Sequence, residues 1–305
     1  MERERRISAY GVCRDDSGRV LLVRASPRSN HTGSWLIPGG GVAHGEDPAR
    51  AVIREIAEET GVLAEITDVR EVIADVVHLR DRPVAVHSDR IVYDVVQRGG
   101  TLRAELDGTT DQACWVPWEE VAGMRLMPFT AAVLGVPETP DPEAPGPNGM
   151  QPIAGPPPGR RGPRGQRFAA YGLATDPAER VLLARIADGF PGAGRWHLPG
   201  GGTDFGEQPA AALLRELAEE TNQVGVVTDL LSVSHRHNPR ALGPEGHPID
   251  WHTVRAVYRV HVAAPTEPRV TEAAGGSTAA AAWFGRPEAA RLPLTEVAIG
   301  ALRHE

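Results

Sequence analysis

The chain has 305 residues, 41% of them hydrophobic, and a formal net charge of −8. Its length exceeds a usual single domain of roughly 100–200 residues, so two domains are expected. The negative balance argues against a general nucleic-acid-binding surface, and the absence of any run of about 18 apolar residues argues against a membrane-spanning helix.

The opening MERERRISAYGV is charged and lacks the apolar middle of a secretory signal. Ile7–Arg14 and Arg19–Arg24 alternate apolar residues around Asp15-Asp16-Ser17-Gly18, which predicts a β-hairpin. Trp35–Ile37 predicts a short strand stopped by Pro38 and three glycines. Asp47-Pro48 opens a helix, with Asp47 capping the free amides and Pro48 in the first helical position. The helix is expected to run to about Thr60 and to stop at a left-handed Gly61. Strands are expected at Val69–Leu79, Arg90–Val96 and Ala113–Val116, then a helix near Pro128–Leu134. This order predicts an α/β fold with a mixed sheet flanked by helices. Cys13 and Cys114 sit in apolar strand-like segments, as buried thiols of a reducing, cytoplasmic compartment would.

The same pattern then returns. AYGVCRDDSGRVLLVRAS at Ala9 matches AYGLATDPAERVLLARIA at Ala170, and WLIPGGG at Trp35 matches WHLPGGG at Trp196. Both matches are offset by 161 (170−9; 196−35), while Trp115 and Trp283 are offset by 168 (283−115). The second copy has therefore gained about seven residues, mostly around Asn238–Pro248, and an internal duplication is inferred. The expected division is 1–136 for the first domain, 137–167 for a Pro/Gly-rich linker, and 168–305 for the second domain. Arg160, Arg161, Arg164 and Arg167 at the linker's end are expected to be solvated.

On the first long helix Glu55, Glu58 and Glu59 are spaced i, i+3 and i+4, within an arc of about 100°. Like charges so placed repel, and a divalent cation reverses the sign of that energy. Oxygen donors without nitrogen suit hard ions, Mg²⁺ first and Mn²⁺ as the other candidate. Gly39, Gly40 and Gly41 lack β-carbons, so their backbone can approach a phosphate or turn a carbonyl toward a metal. Arg54 can orient Glu55 through a bidentate pair, and Glu46 can fix the junction of loop and helix. The second copy repeats the set with Gly200, Gly201, Glu207, Arg215, Glu216, Glu219 and Glu220.

These residues resemble the Nudix hydrolase signature, in which Gly, Glu and an Arg-Glu-apolar-x-Glu-Glu-x-Gly-apolar run recur at fixed spacing. Gly40, Glu46, Arg54, Glu55, Ile56, Glu58, Glu59, Gly61 and Val62 match throughout. In the second copy Asn222 and Gln223 replace the closing Gly-apolar pair; Asn222 can still stop the helix, and Gln223 is expected to remove a core contact. The resemblance implies two tandem α/β/α sandwich domains with mixed β-sheets. It implies metal ligation by Glu58, Glu59, Glu219 and Glu220, and by the carbonyls of Gly39 and Gly200. Glu55 and Glu216 are implied as ligands or general bases, oriented by Arg54 and Arg215. The implied activity is hydrolysis of a diphosphate linkage in a nucleoside diphosphate derivative, a nucleotide sugar or ADP-ribose before a nucleoside triphosphate.

Asp111, Glu105 and Glu272 are alternative bases on later loops. Trp35 and Trp196 are candidates for base stacking, with core packing as the plainer expectation. His235, His237, His247 and His252 gather in the expanded region, where a histidine-bound transition metal is one reading and substrate contact or plain loop the other. A different class of function is a nucleotide sensor with one copy that binds without cleaving. The expected partner is a small nucleotide or diphosphate substrate, with neither nucleic acid nor membrane. The duplicated domains are expected to pair as an intramolecular pseudo-dimer.

Overall fold

The computed structural model describes residues 2–29, 31–78, 83–105, 107–138, 164–242, 247–271 and 276–303. Leu79, Glu272 and most of the expected linker lie outside them. The chain forms two compact units, Met1–Arg164 together with His237–Trp251, and Gly165–Arg236 together with His252–Glu305. The segment 237–251 belongs to the second copy by sequence but clusters with the first unit. Among the described residues no helix is long and apolar enough to cross a membrane.

The first unit contains β1 (Glu2–Cys13), β2 (Val20–Ala25), β3 (Trp35–Leu36), β4 (Gly39–Gly41), α1 (Pro48–Thr60), β5 (Val62–His78), β6 (Val84–Gly100), β7 (Thr110–Val116), α2 (Trp118–Val121) and α3 (Pro128–Leu134). One sheet has the order β4-β1-β6-β5, with β1 and β6 parallel, and a second has the order β3-β2-β7. The expected hairpin of β1 and β2 closes only at its tip, where Asp15 N–H donates to the Arg19 carbonyl at 3.0 Å and Arg14 bridges Val20. Beyond that the strands separate into different sheets. Their burial gives the reason: Ile7–Cys13 and Val20–Val23 are buried without a break, so each strand is covered on both faces and serves as the middle of its own sheet.

The second copy contains β8 (Arg164–Thr175), β9 (Val181–Ile186), β10 (Trp196–His197), β11 (Gly200–Gly202), α4 (Pro209–Thr221), β12 (Val226–Leu242), β13 (Pro248–His261), β14 (Thr278–Phe284), α5 (Arg286–Ala289) and α6 (Glu296–Arg303). The strand β8 begins inside the expected linker, so Arg164 and Arg167 are strand residues, and both are exposed as expected. Its sheet has the order β10-β9-β8-β13-β12, with β11 on β8 and β14 on β9. The register supports the duplication, since Trp115 pairs with Leu21 and Trp283 with Leu182. A β-carbon at Gly11 would meet Val95 and one at Gly172 would meet Val260, an offset of 165 (260−95). Four of the seven extra residues therefore precede β13's end and three follow it.

The helix α1 packs on β1, β4 and β5. At Gly11 a β-carbon would sit 2.7 Å from Ile56 Cδ1, so glycine there sets how closely helix and sheet approach. Asp47 accepts from Ala49 N–H at 3.0 Å and Gly61 is left-handed at φ 70°, both as the sequence predicts. In α4 Gln208 gives no side-chain cap, and Asn222 takes the left-handed position at φ 56°. Tyr10, Leu22, Ile37, Val92 and Phe129 centre the first core; Leu173, Leu183, Leu198 and Val257 centre the second. Trp35 and Trp196 pack against these cores, Trp196 edge-on to Phe284 at 4.8 Å. Both cysteines are free; Cys13 is buried and Cys114 half-buried.

Candidate active site

Arg54 is the hub of the first box. Its guanidinium forks onto Glu46, with Nε to Oε1 at 2.9 Å and Nη2 to Oε2 at 3.0 Å. The remaining nitrogen donates to Glu55 Oε1 at 2.8 Å and Glu58 Oε2 at 3.2 Å, and Nη2 also reaches the Gly41 carbonyl at 3.2 Å. Glu46 accepts in addition from Ala43 N–H at 2.8 Å. One cation thus ties the loop after β4 to two carboxylates on α1, with the bidentate geometry that fixes orientation as well as charge.

Glu59 lies deeper. It is buried, and its Oε2 accepts from Gly39 N–H at 2.9 Å. What Gly39 gives this carboxylate directly is its amide. Burial pushes the Glu59 carboxyl well above the ordinary carboxylate range, opposed by the Gly39 amide and reinforced by the charges of Glu55, Glu105 and Glu58. Burial also raises Glu55, with Arg54 pulling it back. Gly40 faces the Glu55 carboxylate so closely that a β-carbon there would come within 2.5 Å of it. A buried carboxylate among like charges is costly unless a cation accompanies it. The donor set is entirely carboxylate, so Glu55, Glu58 and Glu59 fit a divalent ion of hard character.

The second box repeats the geometry. Arg215 forks onto Glu207 at 2.9 and 3.1 Å, and donates to Glu216 at 3.0 Å, Glu219 at 3.2 Å and the Gly202 carbonyl at 3.3 Å. Gly200 N–H donates to Glu220 Oε2 at 2.9 Å. One contact differs. Thr278 donates its hydroxyl to Glu220 Oε1 at 2.5 Å, so both oxygens of that carboxylate are engaged. Burial still raises the Glu220 carboxyl, to about 7, with Thr278 and Gly200 restraining the rise. The acid equivalent to Glu58 is also more enclosed, with the Glu219 side chain 28% exposed against 54%.

Of the later-loop acids, Asp111 is paired with Arg24 at 2.8 Å. Glu105 accepts from the Thr110 hydroxyl at 3.0 Å and acts electrostatically on Glu59, which brings it nearer the box than Asp111. Gln223 lies in the interior, with polar contacts where the motif has an apolar residue. It is 1% exposed and exchanges hydrogen bonds with Thr266, donating to Oγ1 at 2.9 Å and accepting from N–H at 2.9 Å. The four histidines do not form one cluster. His235 and His252 meet edge-on at 5.6 Å in the second unit, His247 is exposed, and His237 joins His44 and Asp250 in the first unit. Thr278, Thr266, His44 and Asp250 carry no motif signal; only the offset of 168 that equates Thr278 with Thr110 hinted at one of them.

A family model for the NUDIX domain matches residues 4–134 and 165–304. Nudix hydrolase 25 of Arabidopsis thaliana is 44% identical over 54 residues, 18% of this chain and 30% of that protein. An RNA pyrophosphohydrolase of Roseobacter denitrificans is 50% identical over 53 residues, 17% of this chain and 33% of that protein. The chain thus spans about a third of the length of these curated relatives. The crystal structure of a MutT NUDIX hydrolase from Burkholderia pseudomallei is 28% identical, covering 46% of this chain and 98% of its own, with a TM-score of 0.36.

Proposed function

The chain belongs to the Nudix family, and on that premise we propose that it hydrolyses a diphosphate linkage in a nucleoside diphosphate derivative, with the first box as the principal catalyst. The observation that carries this reading is the buried Glu59, held by the Gly39 amide and crowded by Glu55 and Glu58 on one face of α1. Glu55, Glu58 and Glu59 would hold the divalent ion, Mg²⁺ by preference, with the Gly39 carbonyl as a further donor. When bound, such an ion neutralises phosphate oxygens and lowers the pKa of water.

The chain's own residues supply position and proton transfer. Arg54 fixes Glu55 and Glu46 together, so the loop and helix present their donors as one rigid set. Burial raises the Glu55 carboxyl and Arg54 fixes its orientation, which gives it the placement of a general base. The missing β-carbon of Gly40 lets the Glu55 carboxylate lie directly against the loop backbone. In the second box Arg215, Glu216, Glu219, Glu220 and Gly200 take the same parts.

A second reading is that the second copy binds nucleotide without cleaving it. Its support is the Thr278 hydroxyl on Glu220, which occupies an oxygen that in Glu59 meets no side-chain donor among the described residues. Assaying the full chain with and without Mg²⁺ tests the proposal, using ADP-ribose, UDP-glucose, damaged nucleoside triphosphates and 5′-triphosphate RNA as substrates. Mg²⁺-dependent cleavage strongest on the nucleoside diphosphate derivatives supports it. Equal inactivity on the whole panel removes it.

A further inference from the structure

In the first unit, three donors from three separated segments converge. His44 comes from the loop after β4, His237 from β12 and Asp250 from β13. Their ligand atoms all lie within 4.8 Å of one another. Asp250 Oδ1 is 3.2 Å from His44 Nε2 and 2.6 Å from His237 Nε2, and the two imidazoles stand edge to face at 5.5 Å. We propose that His44, His237 and Asp250 form a binding site for a first-row transition-metal ion, best suited to Zn²⁺ and separate from the carboxylate boxes.

The donor chemistry separates the two kinds of site. Two imidazole nitrogens and one carboxylate oxygen suit Zn²⁺ and its neighbours, whereas the all-carboxylate boxes suit hard ions. Ligands at about 2.0–2.1 Å in a tetrahedron stand about 3.3 Å apart, so the His44–Asp250 spacing is already that of a ligand pair. The His237–Asp250 spacing is a hydrogen bond that has to open by about 0.7 Å on the same geometry. The Asp250 side chain is 8% exposed, that of His44 15% and that of His237 31%, so the cluster is enclosed at Asp250 and most open to solvent at His237. The second oxygen of Asp250 lies 3.9 Å from Arg164 Nε, a placement that orients the carboxylate.

The packing is close-built. A β-carbon at Gly45 would come within 2.8 Å of His237 Nδ1, and Gly45 itself is left-handed at φ 82°. The ion would fasten 237–251 to the loop that carries His44 and Glu46. Glu46 is the residue on which Arg54 forks, so occupancy would stiffen the first box from outside its own ligand set. The site does not depend on the proposed hydrolysis: a chain that cleaved no nucleotide would still take up the ion.

The test is a Zn²⁺ titration of the chelator-treated full chain in excess Mg²⁺, with Co²⁺ as a spectroscopic stand-in. One Zn²⁺ equivalent is expected with Mg²⁺ present, and Co²⁺ should give the visible bands of a low-coordinate nitrogen-oxygen site. Each of His44→Gln, His237→Gln and Asp250→Asn should weaken binding by more than the roughly 10–100-fold cost of losing an outer-shell partner. The paired changes Glu58→Gln with Glu59→Gln, and Glu219→Gln with Glu220→Gln, should leave the equivalent in place. X-ray absorption on the unsubstituted protein should show two imidazole nitrogens, a readout independent of whether any variant folds. No bound equivalent, all-oxygen coordination, or an equivalent that survives His44→Gln and His237→Gln each overturns the proposal.

Discussion

Thr278 donates its hydroxyl to Glu220 at 2.5 Å, whereas its counterpart Thr110 donates to Glu105 at 3.0 Å. The two threonines occupy equivalent strand positions but serve different carboxylates. The innermost acid of the second box therefore has a hydroxyl partner, and that of the first box, among the described residues, is met by a backbone amide alone. A hydrogen bond to an ionised group is worth about 1.5–3 kcal/mol, enough to change how readily each acid gives up its proton. Thr278→Val is expected to raise the Glu220 midpoint above about 7 in the metal-free protein. Carboxyl ¹³C chemical shifts across a pH titration check this, and Thr110→Val should leave Glu220 unmoved.

Gln223 stands where the first copy has Val62, and both are buried. Restoring valine looks like a repair in sequence but is the opposite in structure. Gln223→Val would remove the hydrogen bonds to Thr266, an exposed residue whose hydroxyl keeps the Asn222 carbonyl, and each such bond contributes about 0.5–1.5 kcal/mol net. Urea unfolding should show a loss of that order, and a gain in stability would contradict the argument.

His197 is held down to about 4, first by burial and then by the charge of Arg255. Its Nδ1 lies 2.6 Å from the Thr295 hydroxyl. With the folded value below the unfolded one of about 6.5, the unfolded state binds the extra proton. Stability is therefore full above about 6.5 and falls as the pH drops toward about 4, by at most about 3 kcal/mol from this group. The first copy has Leu36 at this position. His197→Leu should flatten the decline between pH 6.5 and 4 in thermal melts. An unchanged slope would remove His197 as its source.

How much of this was legible in the sequence follows from where the information is local. Asp47, Pro48 and Gly61 act on the peptide groups beside them, so the ends of α1 could be read residue by residue. The box was legible too, because helical spacing alone puts Glu55, Glu58 and Glu59 on one face. Pairing between strands was less so. The alternation in Ile7–Arg14 suggests one covered face, whereas Ile7–Cys13 is buried throughout, Ser8 included, so the hairpin was overestimated. The stretch His87-Ser88-Asp89-Arg90 reads as a polar surface, yet all four are buried in β6, with Arg5 and His87 on Asp89 at 3.5 and 3.2 Å. The Gln223–Thr266 and Thr278–Glu220 links join residues more than forty positions apart, beyond the reach of any local rule.

Arg54 makes a planar fork that a lysine ammonium cannot reproduce. Arg54→Lys keeps the charge and loses the simultaneous hold on Glu46, Glu55 and the Gly41 carbonyl. The expected result is a fall of about 10–100-fold in kcat, the usual cost of losing a partner that orients metal ligands, with a smaller change in KM. Steady-state kinetics at saturating Mg²⁺ separate the two parameters.

The central claim is that the first box does the chemistry through Glu58 and Glu59. Replacing both by Gln in the full chain, and separately replacing Glu219 and Glu220, allows Mg²⁺-dependent hydrolysis of the best substrate to be compared directly. The first pair of changes should lower kcat by at least roughly 100-fold, since the charge stabilisation lost is worth several kcal/mol, and the second pair should lower it much less. Full activity in the chain with Glu58→Gln and Glu59→Gln would contradict the account.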